Sequence, residues 1–113
     1  MKIKNKYGAK KVEYNGQLFH SKKEKTYAVK LDLLKKSFKD DERVLEYKTQ
    51  VPYPITVNGF KICTYILDFI VNYSNGRTEY VDVKGYKKGT AYSMFRIKKK
   101  LVEAIYGITI LEK

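Results

Sequence analysis

Glu79-Tyr80-Val81-Asp82-Val83-Lys84-Gly85, EYVDVKG, is a short β-prone run that sets an aspartate and a lysine two residues apart and ends at glycine. Successive side chains of a strand point to opposite faces, so Tyr80, Asp82 and Lys84 share one face while Val81 and Val83 share the other. An acid and a base are thereby held side by side on a backbone whose other face is anchored in apolar packing. Alone, the pair reads either as a surface ion pair, worth about 0–1 kcal/mol if exposed, or as half of a metal-dependent active site. The surrounding sequence has to separate the two.

Upstream, residues 60–73, FKICTYILDFIVNY, form a near-continuous apolar strand of the kind buried on both faces, with a single acid, Asp68, inside it. The turn SNGR (74–77) joins it to EYVDVKG, and Asn58-Gly59 marks the turn before it. Residues 43–55 read as extended, and Pro52 and Pro54 place that segment at a sheet edge. Near the start, Val12-Glu13-Tyr14 and Gln17-Leu18-Phe19 flank Asn15-Gly16, a hairpin signal. Ser21 with Glu24 three residues on is a capping box, and it predicts a helix from about Lys22 to Ser37. The apolar stripe of that helix is Tyr27, Ala28, Leu31 and Leu34; one turn back it lands on Glu24.

Downstream, residues 86–92 read as a polar, basic loop. A second helix is expected from Ser93 to Ile105, with Met94, Ile97, Leu101, Ala104 and Ile105 on its buried side. Gly107 ends it, and ITILEK is a last strand. The pattern is that of a single α/β domain over residues 1–113: a central mixed sheet flanked by helices, preceded by an N-terminal hairpin and a basic arm at residues 1–10.

Composition narrows the partner. Eleven tyrosines, five phenylalanines and 43% hydrophobic residues mark a folding chain, while the net charge of +12 favours a polyanion, whose counterions are released on binding. No apolar run approaches the roughly 20 residues that span a bilayer, and no signal peptide is apparent. With one cysteine, Cys63, and one histidine, His20, the sequence offers neither an internal disulfide nor a Cys/His zinc cluster. These features lead us to expect a cytoplasmic nucleic-acid partner protein rather than a membrane one.

Glu24, Asp68 and Asp82 each occupy a position where burial is expected, on three separate elements. Each has a plain explanation: a capping partner for Glu24, a paired buried acid for Asp68, an ion pair with Lys84 for Asp82. Buried carboxylates are unfavourable unless paired or bound to a cation, and three that converge suit Mg²⁺, with Mn²⁺ as a substitute.

In this order the motifs resemble the PD-(D/E)XK nuclease superfamily. The residues that carry the likeness are NKYGAKKVEYNGQLFHSKKEKTY (5–27), YILDFIV (65–71), YVDVKGY (80–86) and FRIKKKLVEAIYGITI (95–110). The nearest likeness is to the small phage-encoded branch of Holliday-junction resolvases, VRR-NUC domains and transposon-end nucleases. The resemblance implies a restriction-endonuclease-like core and a Mg²⁺-dependent DNA endonuclease, structure-selective and acting in recombination or genome processing. It implies Asp68, Asp82 and the Val83 carbonyl as metal ligands, Glu24 as a ligand of the ion or its water, and Lys84 as the residue that positions the attacking water. Cutting a junction takes two active sites, hence a homodimer, in the cytoplasm of a bacterial host. Leu67 stands where the superfamily's naming proline would be, Asp82 where glutamate is common, and His20 where many relatives have an acid. These departures keep open a non-catalytic DNA- or RNA-binding protein on the same fold.

Phosphate and base contacts are expected from Lys22 and Lys23 at the first helix, from Lys87 and Lys88 in the basic loop, and from Arg96, Lys98 and Lys99 on the second helix. Tyr86 and Tyr92 are candidate base-stacking platforms. Glu79 does not alternate onto the face of Asp82 and is left out of the site. His20 reads as a local hydrogen-bonding group at the helix start or a substrate contact.

Overall fold

The computed structural model describes residues 11–84 and 87–113. The basic arm at 1–10, Gly85 and Tyr86 lie outside the described residues. Strand β1 (Val12–Tyr14) and β2 (Gln17–Phe19) form the N-terminal hairpin, and α1 (Lys22–Leu34) follows. A long ribbon of β3 (Val44–Val57) and β4 (Phe60–Tyr73) leads to β5 (Thr78–Asp82), α2 (Gly89–Tyr106) and β6 (Ile110–Glu112). The fold is α/β. Its four-stranded sheet runs β3-β4-β5-β6, antiparallel except for the parallel pair β5–β6, with the two helices packed against it. Among the described residues no helix is long and apolar enough to cross a membrane.

The turns follow from local chemistry. Asn15 and Gly16 have φ of 52° and 77°, the left-handed pair that matches strand twist in a tight hairpin. The Ser21 hydroxyl accepts the Glu24 N–H at 3.1 Å, capping α1. The helix stops at Leu34 rather than Ser37, because the chain tightens: the Lys36 and Ser37 amides donate to Leu33 and Leu34, three residues back, both at 3.1 Å. Tyr14 and Tyr47 both donate to Asp32, at 2.6 and 2.9 Å, pinning the hairpin and β3 to α1. Helix α2 starts earlier than expected, so Tyr92 lies on a helix, not in a loop, and among the described residues of the basic segment only Lys87 and Lys88 precede it.

Two apolar clusters hold the layers together. Phe19, Tyr27, Ala28 and Leu31 pack on Phe69, Val71, Val81 and Val83, while Ile55, Tyr65 and Leu67 meet Val102 and Ile110.

Strand β4 corrects the sequence reading. Tyr65, Leu67, Phe69, Val71 and Tyr73 are buried, but Phe60, Ile62 and Ile66 are exposed. The reason is coverage: α2 packs on the face that carries Tyr65 and Leu67, and Ile62 and Ile66 alternate onto the opposite face. Helix α2 is corrected as well. Its fully buried residue is Val102, with Phe95 and Leu101 packed beside it, whereas Met94, Ile97, Ala104 and Ile105 face outward. Lys99, expected to contact nucleic acid, instead turns to the sheet and pairs with Glu112 at 3.0 Å. The helix is seated by Val102, Phe95 and Leu101 packing on Tyr65, Leu67 and Ile110, and in that setting Lys99 reaches Glu112.

Candidate functional site

The site is built where the β4–β5 ladder ends. The last paired residues are Phe69 and Val81, and one step further the register sets Asp68 opposite Asp82. Backbone pairing is replaced there by side chains. The Asp68 N–H donates to Asp82 Oδ1 at 3.1 Å, and the Val83 N–H donates to Asp68 Oδ2 at 2.9 Å. Each acid thus stabilises the frayed end of the other's strand, which explains how the chain tolerates them in an apolar sheet.

Asp82 is 1% exposed and Glu24 5%. Helix α1 brings Glu24 to the same place, since its apolar stripe must face Phe69 and Val81, and Glu24 continues that stripe by one turn. Burial and then the neighbouring Asp68 carboxylate push the Glu24 carboxyl up to about 8, against the backbone N–H groups of His20 and Ser21. Burial pushes Asp82 up to about 6, opposed by the Asp68 amide and by Lys84. Asp68 is therefore the middle member of the three acids, touching both others.

Two buried carboxylate oxygens, Glu24 Oε2 and Asp82 Oδ2, have no hydrogen-bond partner. Unpaired buried acceptors are rare, because each forfeits its hydration without recompense. Two of them on hard oxygen ligands flanking a third carboxylate fit a small divalent cation of the Mg²⁺ or Mn²⁺ type. The three acids are not drawn together around a centre: among the described residues no group of three or more His, Cys, Asp and Glu side chains is arranged to hold a metal ion as it stands.

Lys84 lies on the strand end immediately beyond. Its N–H donates to the Lys113 carbonyl at 2.9 Å, continuing the β5–β6 ladder, and its ammonium sits over the Phe95 ring, 3.8 Å from the centroid. Its charge is felt at Asp82. Lys23 donates to the Lys84 carbonyl at 2.7 Å, tying the first turn of α1 to this strand end.

The remaining cations expected at a phosphate backbone divide into two groups. Lys22, Lys23, Lys87, Lys88 and Arg96 are exposed and Lys98 is half-buried. Lys99 is held by Glu112, and the Tyr92 hydroxyl donates to the same carboxylate at 2.7 Å. Tyr92 is thus engaged with Glu112 and its ring lies on Phe95, with centroids 5.7 Å apart. Glu79 accepts from Tyr73 at 3.0 Å and pairs with Lys113 and Arg77, away from the three acids.

Two residues of the site were not singled out from the sequence. Glu112 is the β6 partner of Asp82. Its charge raises the Asp82 pKa while Lys99 lowers it. The alternation Ile108, Ile110, Glu112 was the signal that could have found it, an acid on a strand's inward parity. Gln50 is the other. The pairs Thr49–Phe69 and Val51–Leu67 set it opposite Asp68, and its φ is 53°, left-handed in mid-strand. No local signal marks that conformation. Gln50, Asp68, Asp82 and Glu112 form one polar row across all four strands of the sheet.

No curated protein and no solved structure matches the chain. The family model described as "Protein of unknown function (DUF1064)" matches residues 4–110, nearly the whole sequence, and the chain belongs to that family.

Proposed function

We propose that this protein is a Mg²⁺-dependent DNA endonuclease of the PD-(D/E)XK type, selective for branched or otherwise interrupted DNA. The observation that carries this reading is the pair of unpartnered buried oxygens, Glu24 Oε2 and Asp82 Oδ2, on either side of Asp68. A purely structural acid cluster would have its acceptors filled.

Asp68, Asp82, Glu24 and the Val83 carbonyl would hold the cation. When bound, it would supply charge stabilisation at the scissile phosphate and acidify a water. The chain's own residues do the rest. Lys84, backed by the Phe95 ring and fixed by the β5–β6 ladder, orients the attacking water. Lys98 and the exposed cations Lys22, Lys23, Lys87, Lys88 and Arg96 hold the phosphodiester backbone, and the surplus of +12 draws it in. A four-way junction needs two cuts, so two copies would act together, with exposed Phe60, Ile62 and Ile97 offering apolar surface to a second copy.

Cleavage of end-labelled four-way junction, flap, single-stranded and linear duplex DNA with Mg²⁺, Mn²⁺ or EDTA tests this, with Lys84→Met alongside wild type. Metal-dependent cutting, lost by more than about 100-fold in Lys84→Met with DNA affinity retained, is the expected result. A second reading is favoured by the spread of the three acids: a non-catalytic DNA-binding protein. It is the outcome if no substrate is cut and binding is tight, salt-dependent and indifferent to Mg²⁺.

A further inference from the structure

Where β5 stops, β4 is left with an open edge, and α2 runs beside it. Between them lies a groove of about 420 Å³ lined by Thr64, Tyr65, Ile66, Ala91, Met94, Phe95 and Lys98. It adjoins the acids: Ile66 and Asp68 are two residues apart on one strand, about 7 Å, and Phe95, a groove wall, carries the Lys84 ammonium.

Among the described residues this edge has no ladder partner. Amides of residues two apart in a strand point the same way, and the Asp68 N–H points towards β5. The peptide groups of Ile66 and Thr64 therefore point away from β3 as well. The facing residues on β3 agree: they are Pro52 and Pro54, which suit non-hydrogen-bonded positions, and the Pro54 carbonyl is turned outward to the Tyr106 hydroxyl at 2.6 Å. Among the described residues no strand pairs with β4 at this level, and those peptide groups face the groove. Beneath them lies the only buried polar side-chain atom without a partner, among the described residues, besides the two carboxylate oxygens: the hydroxyl of Tyr65, which is 5% exposed. The walls are aromatic and apolar. Tyr65 and Phe95 are stacked with centroids 6.1 Å apart, Met94 is half-exposed at the rim, and Lys98 brings a cation to the lining.

We propose that this groove receives one unpaired nucleotide of DNA next to the phosphate presented to the acids. Its base would stack on the Tyr65–Phe95 wall, its polar edge would meet the Thr64 and Ile66 peptide groups, and Lys98 would meet its phosphate. The proposal rests on the nucleic-acid part of the reading above and gives structure-selectivity a physical origin, because a fully paired duplex has no base to donate.

The test is binding in EDTA, where no turnover occurs, to a duplex carrying one unpaired nucleotide, to the same duplex with that nucleotide abasic, and to the fully paired duplex. Wild type is expected to prefer the unpaired base over the abasic site by about 10-fold. 2-Aminopurine at that position should be quenched on binding. Ala91→Trp, which fills the groove from an exposed helix position, should abolish the preference and leave paired-duplex affinity unchanged. Equal affinity for base and abasic site, no quenching, or a preference that survives Ala91→Trp would overturn the proposal. Base preference without cutting in Mg²⁺ would remove the nuclease reading and keep the groove. Cutting without base preference would do the reverse.

Discussion

Asp68 and Asp82 hold each other's strands: the Asp68 amide donates to Asp82 Oδ1 at 3.1 Å, and Asp68 Oδ2 receives the amide after Asp82 at 2.9 Å. Structure and proposed chemistry thus share the same carboxylates, and substitutions can separate them. Asp82→Asn keeps an acceptor for the Asp68 N–H and should unfold within about 1 kcal/mol of wild type. Asp82→Ala leaves that amide unsatisfied and should cost about 1–3 kcal/mol. Both should lose cleavage. Denaturant titration beside the cleavage assay separates the effects, and full activity in Asp82→Asn would sink the metal-ligand role.

The acid cluster dictates how stability depends on pH. In the folded state Glu24 titrates at about 8 and Asp82 at about 6, against ordinary values of 4.5 and 3.8. Between those values the folded protein keeps protons that the unfolded chain has released, so stability falls as pH rises and levels off above about 8. Carboxyls held low, such as Asp32 and Glu79, act only below the usual carboxylate range. Thermal melts in EDTA should therefore show Tm falling from about pH 5 to about pH 8. Saturating Mg²⁺ should raise Tm most at the alkaline end, because a cation competes with those protons. A Mg²⁺ effect independent of pH would remove Glu24 and Asp82 from the binding site.

Glu112 and Lys99 tune Asp82 in opposite directions. Glu112→Gln should lower the pH at which Mn²⁺ binding is half-maximal, and Lys99→Met should raise it, each by a fraction of a pH unit up to about 1. Calorimetric titration across pH reads this directly. Shifts of the same sign in both variants would contradict the coupling.

Gln50 carries its left-handed φ of 53° in the middle of β3. A β-branched residue is poorly suited to that conformation, so Gln50→Val should destabilise by about 1–3 kcal/mol while Gln50→Gly is close to neutral. Equilibrium unfolding of the pair checks it. If Gln50→Gly folds normally but cuts poorly, the amide belongs to the site.

Much of the framework was legible in the chain. The Asn15-Gly16 hairpin, the Ser21–Glu24 cap, the edge strand marked by Pro52 and Pro54, and the Gly107 helix end are short-range chemistry, written in neighbouring residues. So were the three acids, because a charge on an apolar stripe stands out wherever the stripe packs. What local pattern could not rank were two helical stripes on α2. Met94, Ile97, Ala104 and Ile105 read as the buried stripe with Leu101, yet the face with Phe95, Lys99, Leu101 and Val102 is the one applied to the sheet.

The sequence by itself determined the α/β class, the element order and the three acids set on otherwise apolar elements, since these depend on periodicity and on residue type. Tertiary structure alone decided which elements were too short to cover their neighbours and which charges met. Because β5 pairs with β4 only as far as Phe69, the strands part at Asp68 and Asp82, and among the described residues no strand pairs with the edge beyond them. Because Val102, Phe95 and Leu101 pack on Tyr65, Leu67 and Ile110, Lys99 reaches Glu112 while Met94, Ile97 and Ile105 turn out. Both outcomes depend on contacts between residues far apart in the chain, which periodicity does not encode.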